Sequence, residues 1–488
     1  MTRLKRIILA IILVLISIAK TTESQNSTKS NCFTSRPDDL DLPQNCHFYS
    51  VVLDAGSTGT RATVLGFTYA PIQDNLTKRF KSEYFLKLTQ SQTSKVKPGI
   101  SAYQHKLPEI ASYLKPLLDF VKDKVPSKYH SKTPFAFRAT AGLRVLKYGD
   151  VTALLREVED ATNNLSFQPL NKTLFVDVLT GLSEGAYAWV SVNYLLGTLF
   201  NAHKENSDTS TLSSAIIDLG GASMQIAYRP TTPMTNRNKK YFTAIVPVNK
   251  HNVTLYSRSY RGAGLVRARV AITSSEDDTS SDFAAIKNDV ISSCVAHGSN
   301  IVWTPFGDFR QTVRGSSRYS FTFCYKMVQA FVNRLNITQP DKELGRHRRE
   351  LPLANRQIYA FSYVYDVLEA AGIVPKAKTC SRSRIDIFNA NDFFEPWRCL
   401  DTTLIYTYLH HSLGFNENKQ IQVTNTVDGE SLSWALGKAY VQLETSLELH
   451  RNSATAVNSK HQNTCAWRIN CLTILTLIWL WLYANKVN

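Results

Sequence analysis

Asp54-Ala-Gly-Ser-Thr-Gly-Thr-Arg61 and, further along, Asp218-Leu-Gly-Gly-Ala-Ser223 decide the fold of this chain. Each follows a short apolar run, Ser50-Val-Val-Leu53 in one case and Ala215-Ile-Ile217 in the other, that reads as a buried strand. Each then continues as Asp, one apolar residue, Gly, and small or hydroxyl residues. A strand that ends in Asp and turns through glycine exposes backbone N–H groups able to cradle a phosphate. The Asp can hold a metal-bound water beside it. One such turn is common; two at domain-scale separation suggest a duplicated, two-lobed protein with a polyphosphate clamped between its lobes.

The composition suits that reading. At 488 residues the chain has room for two large lobes, and 43% hydrophobic residues can build real cores. The net charge of +17 invites a nucleic-acid or membrane-surface reading. Yet Lys and Arg are scattered, and no nucleic-acid motif occurs. No nucleic-acid partner is therefore expected, and a basic balance suits anionic nucleotides. The densest cluster, Arg346-His-Arg-Arg349, fits a processing-protease pattern, but an exposed charged loop is the simpler reading.

Both ends read as addresses. Arg3, Lys5 and Arg6 precede the apolar run Ile7–Ile18, and Ser17-Ile-Ala19 offers a cleavage site, so residues 1–19 are a signal peptide or signal anchor. Asn-x-Ser/Thr sequons at Asn26, Asn75, Asn164, Asn171, Asn252 and Asn336 also fit the secretory pathway. The final location is extracellular, cell-surface or lumenal. The polar stretch 451–470 reads as a linker. The apolar segment 471–484 reads as a membrane anchor, a GPI-anchor signal, or a strap on the folded body, and membrane attachment is favoured. Eight cysteines in an oxidising compartment should mostly pair. Proximity favours Cys294–Cys324, Cys380–Cys399 and Cys32–Cys46, although spacing alone does not settle connectivity. No Cys or His spacing suggests zinc.

Between the ends, strand-like and helix-like segments alternate, as in an α/β protein. Strands are expected at Phe135–Phe137, Leu174–Val178 and Gln357–Phe361. Helices are expected at Leu107–Val125, Val151–Thr162, Ser183–Phe200 and Ser431–Leu449.

Further motifs follow in order: Ala139-Thr-Ala-Gly-Leu-Arg144, Gly181-Leu-Ser-Glu-Gly-Ala-Tyr-Ala-Trp189, Asp218-Leu-Gly-Gly-Ala-Ser-Met-Gln225, Tyr359-Ala-Phe-Ser-Tyr-Val-Tyr-Asp366 and Trp434-Ala-Leu-Gly437. With the first phosphate loop they resemble the apyrase conserved regions of the ecto-nucleoside triphosphate diphosphohydrolases, over about Ser50 to Leu449. The run Ser257–Arg269 adds a likeness to the nucleoside-diphosphatase (UDPase/GDPase) branch. The resemblance implies an α/β, two-lobed actin-like (ribonuclease-H-type) duplicated fold with its active site in the interlobe cleft. On that reading 47–178 form lobe I, 179–430 lobe II, and 431–450 a return helix packing on lobe I.

Hydrolysis of a terminal phosphate needs in-line attack by water while charge builds on the phosphoryl oxygens. Backbone amides of Gly56–Gly59 and Gly220–Ala222 (Gly221 between them), with the Ser57 and Thr58 hydroxyls, are expected to hold those oxygens. Ca2+ or Mg2+ would be held through water by Asp54 and Asp218. Glu184 falls on the family's catalytic glutamate, and Ser223 and Gln225 match the residues that position the attacking water. Met224 replaces the usual Thr between them. Thr140 and Arg144 match the region that supports the first loop and the cation's waters, although Arg144 has a structural reading too. Tyr365 matches an aromatic that stacks on the nucleobase, and Leu413 takes the position of its aromatic partner, with Phe415 nearby. Arg258 replaces a common His.

The expected substrates are therefore nucleoside diphosphates such as UDP and GDP, and triphosphates. An actin-fold kinase or chaperone-like ATPase fits less well, because such proteins need cytosolic ATP. A secreted, catalytically weak nucleotide-binding protein on the same fold is the alternative; the intact Asp54, Glu184, Asp218, Ser223 and Gln225 argue against it.

Overall fold

The computed structural model describes residues 32–33, 46–73, 80–144, 146–163, 165–167, 176–199, 213–231, 242–248, 251–275, 287–306, 309–335, 337, 353–374 and 395–453. The two terminal address segments, residues 454–470 of the expected 451–470 linker, Arg346–Arg349 and Cys380 lie outside them, while residues 451–453 are helical. The chain divides into two compact units. One comprises Phe48–Phe67 and Leu88–Thr445; the other comprises Met1–His47, Thr68–Lys87 and Ser446–Asn488. In the second unit a Cys32–Cys46 disulfide ties the described N-terminal residues together, and the Phe33 and His450 rings lie 6.1 Å apart.

The first unit carries most of the duplication, while the parts of two strands within Thr68–Lys87 belong to the other. β1 (Phe48–Ala55), β2 (Thr60–Gln73), β3 (Phe80–Val96), β4 (Phe135–Ala139) and β5 (Val176–Val178) form a sheet of order β3-β2-β1-β4-β5. β1 runs antiparallel to β2 and parallel to β4. Between β3 and β5 lie the helices α1 (Ile110–Lys124) and α2 (Tyr148–Thr162). α1 buries Ile110, Tyr113, Leu114, Leu117, Leu118 and Val121, a three-and-four spacing that makes one apolar stripe. That stripe packs with Leu154 and Val158 of α2 against Val51, Leu53 and Phe137 of the sheet.

α3 (Gly181–Leu195) leads to the second sheet, built from β6 (Ala215–Leu219), β7 (Ser223–Tyr228), β8 (Thr243–Val248) and β9 (His251–Arg261). β13 (Ile358–Ser362) and β14 (Gln422–Val423) complete it, in the order β14-β13-β6-β7-β9-β8. β6 is antiparallel to β7 and parallel to β13, the same relation that β1 has to β2 and β4. Central strands covered on both faces need continuous apolar runs. β6 is buried throughout, and β1 is exposed only partly at Tyr49 and Asp54.

Around this sheet lie α4 (Leu265–Ser274), α5 (Phe321–Arg334), α6 (Tyr363–Ala370) and α7 (Arg398–Tyr406). A small sheet of β10 (Asp289–Ser292), β11 (Asn300–Phe306) and β12 (Phe309–Gly315) joins them. A Cys294–Cys324 disulfide pins that region to α5. Cys399 on α7 is a half-buried free thiol. No helix among the described residues is long and apolar enough to cross a membrane.

The last helix, α8 (residues 434–453), starts three residues later than its sequence pattern suggests. Glu430–Ser431 (β16) pairs with Thr426–Val427 (β15) across Asp428-Gly429, whose φ of 50° and 83° match a hairpin turn. α8 then returns to the first sheet. Ser50 donates to the Ala439 carbonyl at 2.9 Å, and Gln442 donates to Ser50 Oγ and the Val51 carbonyl at 2.9 Å each.

Candidate active site

The two phosphate turns are copies in detail. In the first, the Gly56 N–H closes on the Gly59 carbonyl at 2.9 Å; in the second, Gly220 closes on Ser223 at 2.9 Å. Those two amides are therefore engaged inside the turns. The amides of Ser57, Thr58, Gly221 and Ala222 donate to no backbone carbonyl among the described residues. The second turn is braced from behind: Leu265 and Arg267, at the start of α4, donate to the Gly220 and Gly221 carbonyls at 3.0 and 3.1 Å. That close approach needs Gly264, where a Cβ would sit 2.3 Å from the Ala222 nitrogen.

Both turns open on one cavity of about 860 Å³, within the size range of ligand sites. Asp54, Gly56, Ser57, Thr58, Gly59 and Thr140 line one side, and Asp218, Gly220, Gly221, Ala222 and Ser223 another, with Glu184 between them. Glu184 is placed by α3. Thr180 caps the helix by accepting from the Ser183 N–H at 3.1 Å, so the carboxylate sits in the first turn. Gly181 lets this end of the helix press onto β9, because a Cβ there would lie 2.3 Å from Ser259 Cβ.

The Glu184 carboxylate is held through Oε2. Arg144 donates to it at 2.6 Å and Gln225 Nε2 at 3.2 Å, and both recorded bonds fall on that oxygen. Gln225 Nε2 also donates to Ser223 Oγ at 2.6 Å and Ser259 Oγ at 3.0 Å. Its Oε1 is buried without a partner among the described residues, as is Asp54 Oδ1. Burial pushes the Asp54 and Asp218 carboxyls up to about 7, and Glu184 adds to the rise at both. Burial also raises Glu184, while the Arg144 guanidinium opposes that rise.

Arg144 and Gln225 do not line the cavity; they stand behind Glu184 and Ser223. Alternation along β7 explains why the Thr-to-Met departure is harmless to this geometry. Ser223 and Gln225 face α3, whereas Met224 is buried in the core with Ile226 and Tyr228. Arg258 behaves likewise: its guanidinium lies over the Tyr260 and Phe242 rings, at 4.5 and 5.1 Å, while neighbouring Ser257 and Ser259 face α3 and Gln225.

The expected base clamp is not brought to the cavity. Leu413 is buried in the core of the second sheet, as is Phe415. Tyr365 lies off the cavity wall, its hydroxyl donating to Glu369 at 3.2 Å. The aromatic rings on the wall are Trp303, Phe306, Tyr363 and Trp434. The wall also carries Arg61, Lys95 and Lys97, three cations not singled out by sequence reasoning, with Asp366 and Asn425. Arg61 stood in the quoted first motif and pairs in register with Asp54, as Gln225 does with Asp218. Lys95 and Lys97 follow no local motif and come from the end of β3.

Twin phosphate turns on equivalent strands, facing one acid-lined cavity, define an actin-like enzyme of phosphate chemistry. Residues 40–456 match the model of the GDA1/CD39 (nucleoside phosphatase) family, and the chain belongs to that family. It is 29% identical over 445 residues to nucleoside-diphosphatase uda-1 of Caenorhabditis elegans, covering 87% of this chain and 88% of the relative. It is 30% identical over 416 residues to ectonucleoside triphosphate diphosphohydrolase 5 of Gallus gallus, covering 82% and 88%. The fold is shared with a nucleoside triphosphate hydrolase structure from Neospora caninum, at a TM-score of 0.52 and 13% identity over 83% of this chain and 93% of that one.

Proposed function

We propose that this protein hydrolyses the terminal phosphate of nucleoside diphosphates such as UDP and GDP, and of triphosphates, with a divalent cation, in the lumen of the secretory pathway or outside the cell. The carrying observation is Glu184, set between two phosphate turns with its Oε2 tied to Arg144 and Gln225. That arrangement leaves Oε1 as the basic atom toward a water. Ser223 Oγ, on the cavity wall, is the neighbouring group that orients that water, and Gln225 acts from behind, its Nε2 holding both Ser223 Oγ and Glu184 Oε2.

The amides of Ser57, Thr58, Gly221 and Ala222, with the Ser57 and Thr58 hydroxyls, hold the phosphoryl oxygens as charge builds on them. Arg61, Lys95 and Lys97 lie on the same wall and suit a polyphosphate chain. Trp303, Phe306, Tyr363 and Trp434, rather than Tyr365 and Leu413, are the rings on the cavity wall that a base could meet.

The donor set fits Ca2+ or Mg2+. Two buried carboxylates held above the usual carboxylate range, one with an oxygen that has no partner among the described residues, are ionised together more readily with a divalent cation beside them. Asp54 and Asp218 would hold the ion through water. The ion neutralises charge on the phosphate chain and its leaving oxygen. Relatives named as diphosphatases support the diphosphate preference.

Glu184→Gln tests the assignment. Phosphate release should fall by at least about a thousandfold while nucleotide binding persists. Unchanged release would reject Glu184 as the base.

A further inference from the structure

Ser362 is one of two non-glycine residues with positive φ among the described residues, and the one on the cavity wall. Its φ of 58° and ψ of −131° lie in a region that side-chain-bearing residues rarely enter. Asp428, the other, sits in a hairpin turn where such a φ is ordinary. Ser362 ends β13 immediately before α6. At the matching point of the first half, β4 ends at Ala139, paired with Ala55 as Ser362 is with Leu219, and there φ is not positive. The turn at Ser362 is therefore not required by the shared strand geometry.

Two contacts hold it. The Ser362 N–H donates to Asn425 Oδ1 at 2.6 Å, and Asn425 Nδ2 donates to Asp366 Oδ1 at 2.7 Å. Asp366 stands at the start of α6, so the amide of Asn425 bridges the strained residue to the helix that follows. The Ser362 side chain, in turn, lines the same cavity as the buried Asp218 carboxylate and is a hydrogen-bonding neighbour of it. Asp218 belongs to β6, and Ser362 reaches it from the neighbouring strand, where Phe361 is its register partner.

We propose that Ser362 is a positioning residue: its strained backbone, clamped by Asn425 and Asp366, aims its hydroxyl at Asp218 and fixes that carboxylate in the cavity. The inference rests on the phosphohydrolase reading above and adds to it a residue set outside the two phosphate turns. Strain stored at a site persists only where surrounding contacts over-determine it, and the Asn425 bridge is that contact. A carboxylate that must hold an ion through water gains from a fixed orientation, because a loosely placed one does not present the same oxygen each time.

Ser362→Gly, Ser362→Ala and Asn425→Ala separate this role from a structural one. Glycine relieves the backbone strain and alanine keeps it, but both lose the hydroxyl. The Ser362→Gly melting temperature should exceed that of Ser362→Ala by about 2 °C. Both should lose about tenfold or more in kcat, with KM for UDP changed less than about twofold. Stabilisation of the protein by added Ca2+ or Mg2+, read as a rise in Tm, should shrink in both. Asn425→Ala should lose kcat to a similar degree, and Ser362→Gly/Asn425→Ala should lose no more than about twofold beyond either single variant, because the two residues act as one unit.

A merely structural residue gives a different pattern, in which kcat follows stability and Ser362→Gly outperforms Ser362→Ala. That result, or full kcat in Ser362→Gly, overturns the proposal. Turnover by the unmodified protein tests the underlying reading separately. If it releases no phosphate, that reading fails, while the order of melting temperatures and the response to the cation still decide the case for Ser362.

Discussion

Replacing Arg144 by alanine removes the one cation that touches the proposed base among the described residues. Its Nη2 lies 2.6 Å from Glu184 Oε2, and each side chain is only 10% exposed. With charge centres about 4 Å apart and an effective dielectric of about 20, the pair is worth about 4 kcal/mol. That corresponds to about a thousandfold in the proton affinity of the carboxyl. Burial already raises Glu184, so without Arg144 the acid form should dominate at neutral pH. A general base works only when ionised, so the loss should be largest on the acid side. In a pH profile of kcat/KM for UDP, Arg144→Ala should move the acid limb to higher pH. Activity at pH 7 should fall about fourfold or more and recover in part toward pH 9. Arg144→Lys keeps the charge but loses the second contact to Ser223, 3.4 Å away, and should shift the limb much less. A profile lowered equally at every pH, with its limb in place, would refute the reasoning and leave Arg144 a packing residue.

Three further outcomes follow from the same geometry. Asp54 and Asp218 are raised to about 7 in the folded protein, so the folded state binds more protons than the unfolded one between about pH 4 and pH 7. Stability of the chelator-treated protein should therefore fall as pH rises through that window. Asp54→Asn or Asp218→Asn should flatten the fall in thermal melts while abolishing turnover. Removing the Cys294–Cys324 disulfide, which spans 30 residues, should cost about 3–4 kcal/mol in denaturant unfolding of the double alanine variant. Gly264→Ala forces a methyl toward the Ala222 nitrogen and should lower kcat/KM at least about a hundredfold by displacing the second turn. A variant that keeps its activity would show that α4 does not brace that turn.

The phosphate turns were legible because their chemistry is local. A buried strand, an Asp and glycines in sequence are enough to indicate an exposed amide turn, and Asp54, Glu184 and Asp218 do meet in one cavity. Helices with clear three-and-four patterns, such as the one expected at Val151–Thr162 and found at Tyr148–Thr162, were legible for the same reason, and residues 434–453 reach Ser50 through the Ala439 carbonyl. What could not be read were residues brought together by strand pairing. Lys95 lies at the end of a long strand, and Asn425 before a short hairpin, with no motif around either. Ser362 was visible within an aromatic run, but nothing in Phe-Ser-Tyr signals a positive φ. The base clamp failed for the opposite reason. Leu413 holds a family position, yet its side chain lies in the core, where neighbours set by the fold decide its role.

Phosphate release by the purified protein tests the central claim most directly. UDP, GDP, ADP, ATP and UTP should each be offered with Ca2+, with Mg2+ and with a chelator. The expected result is release that the chelator abolishes, fastest with UDP and GDP, and lost in Glu184→Gln. Release that persists in chelator, or none from folded protein with any nucleotide, would contradict it.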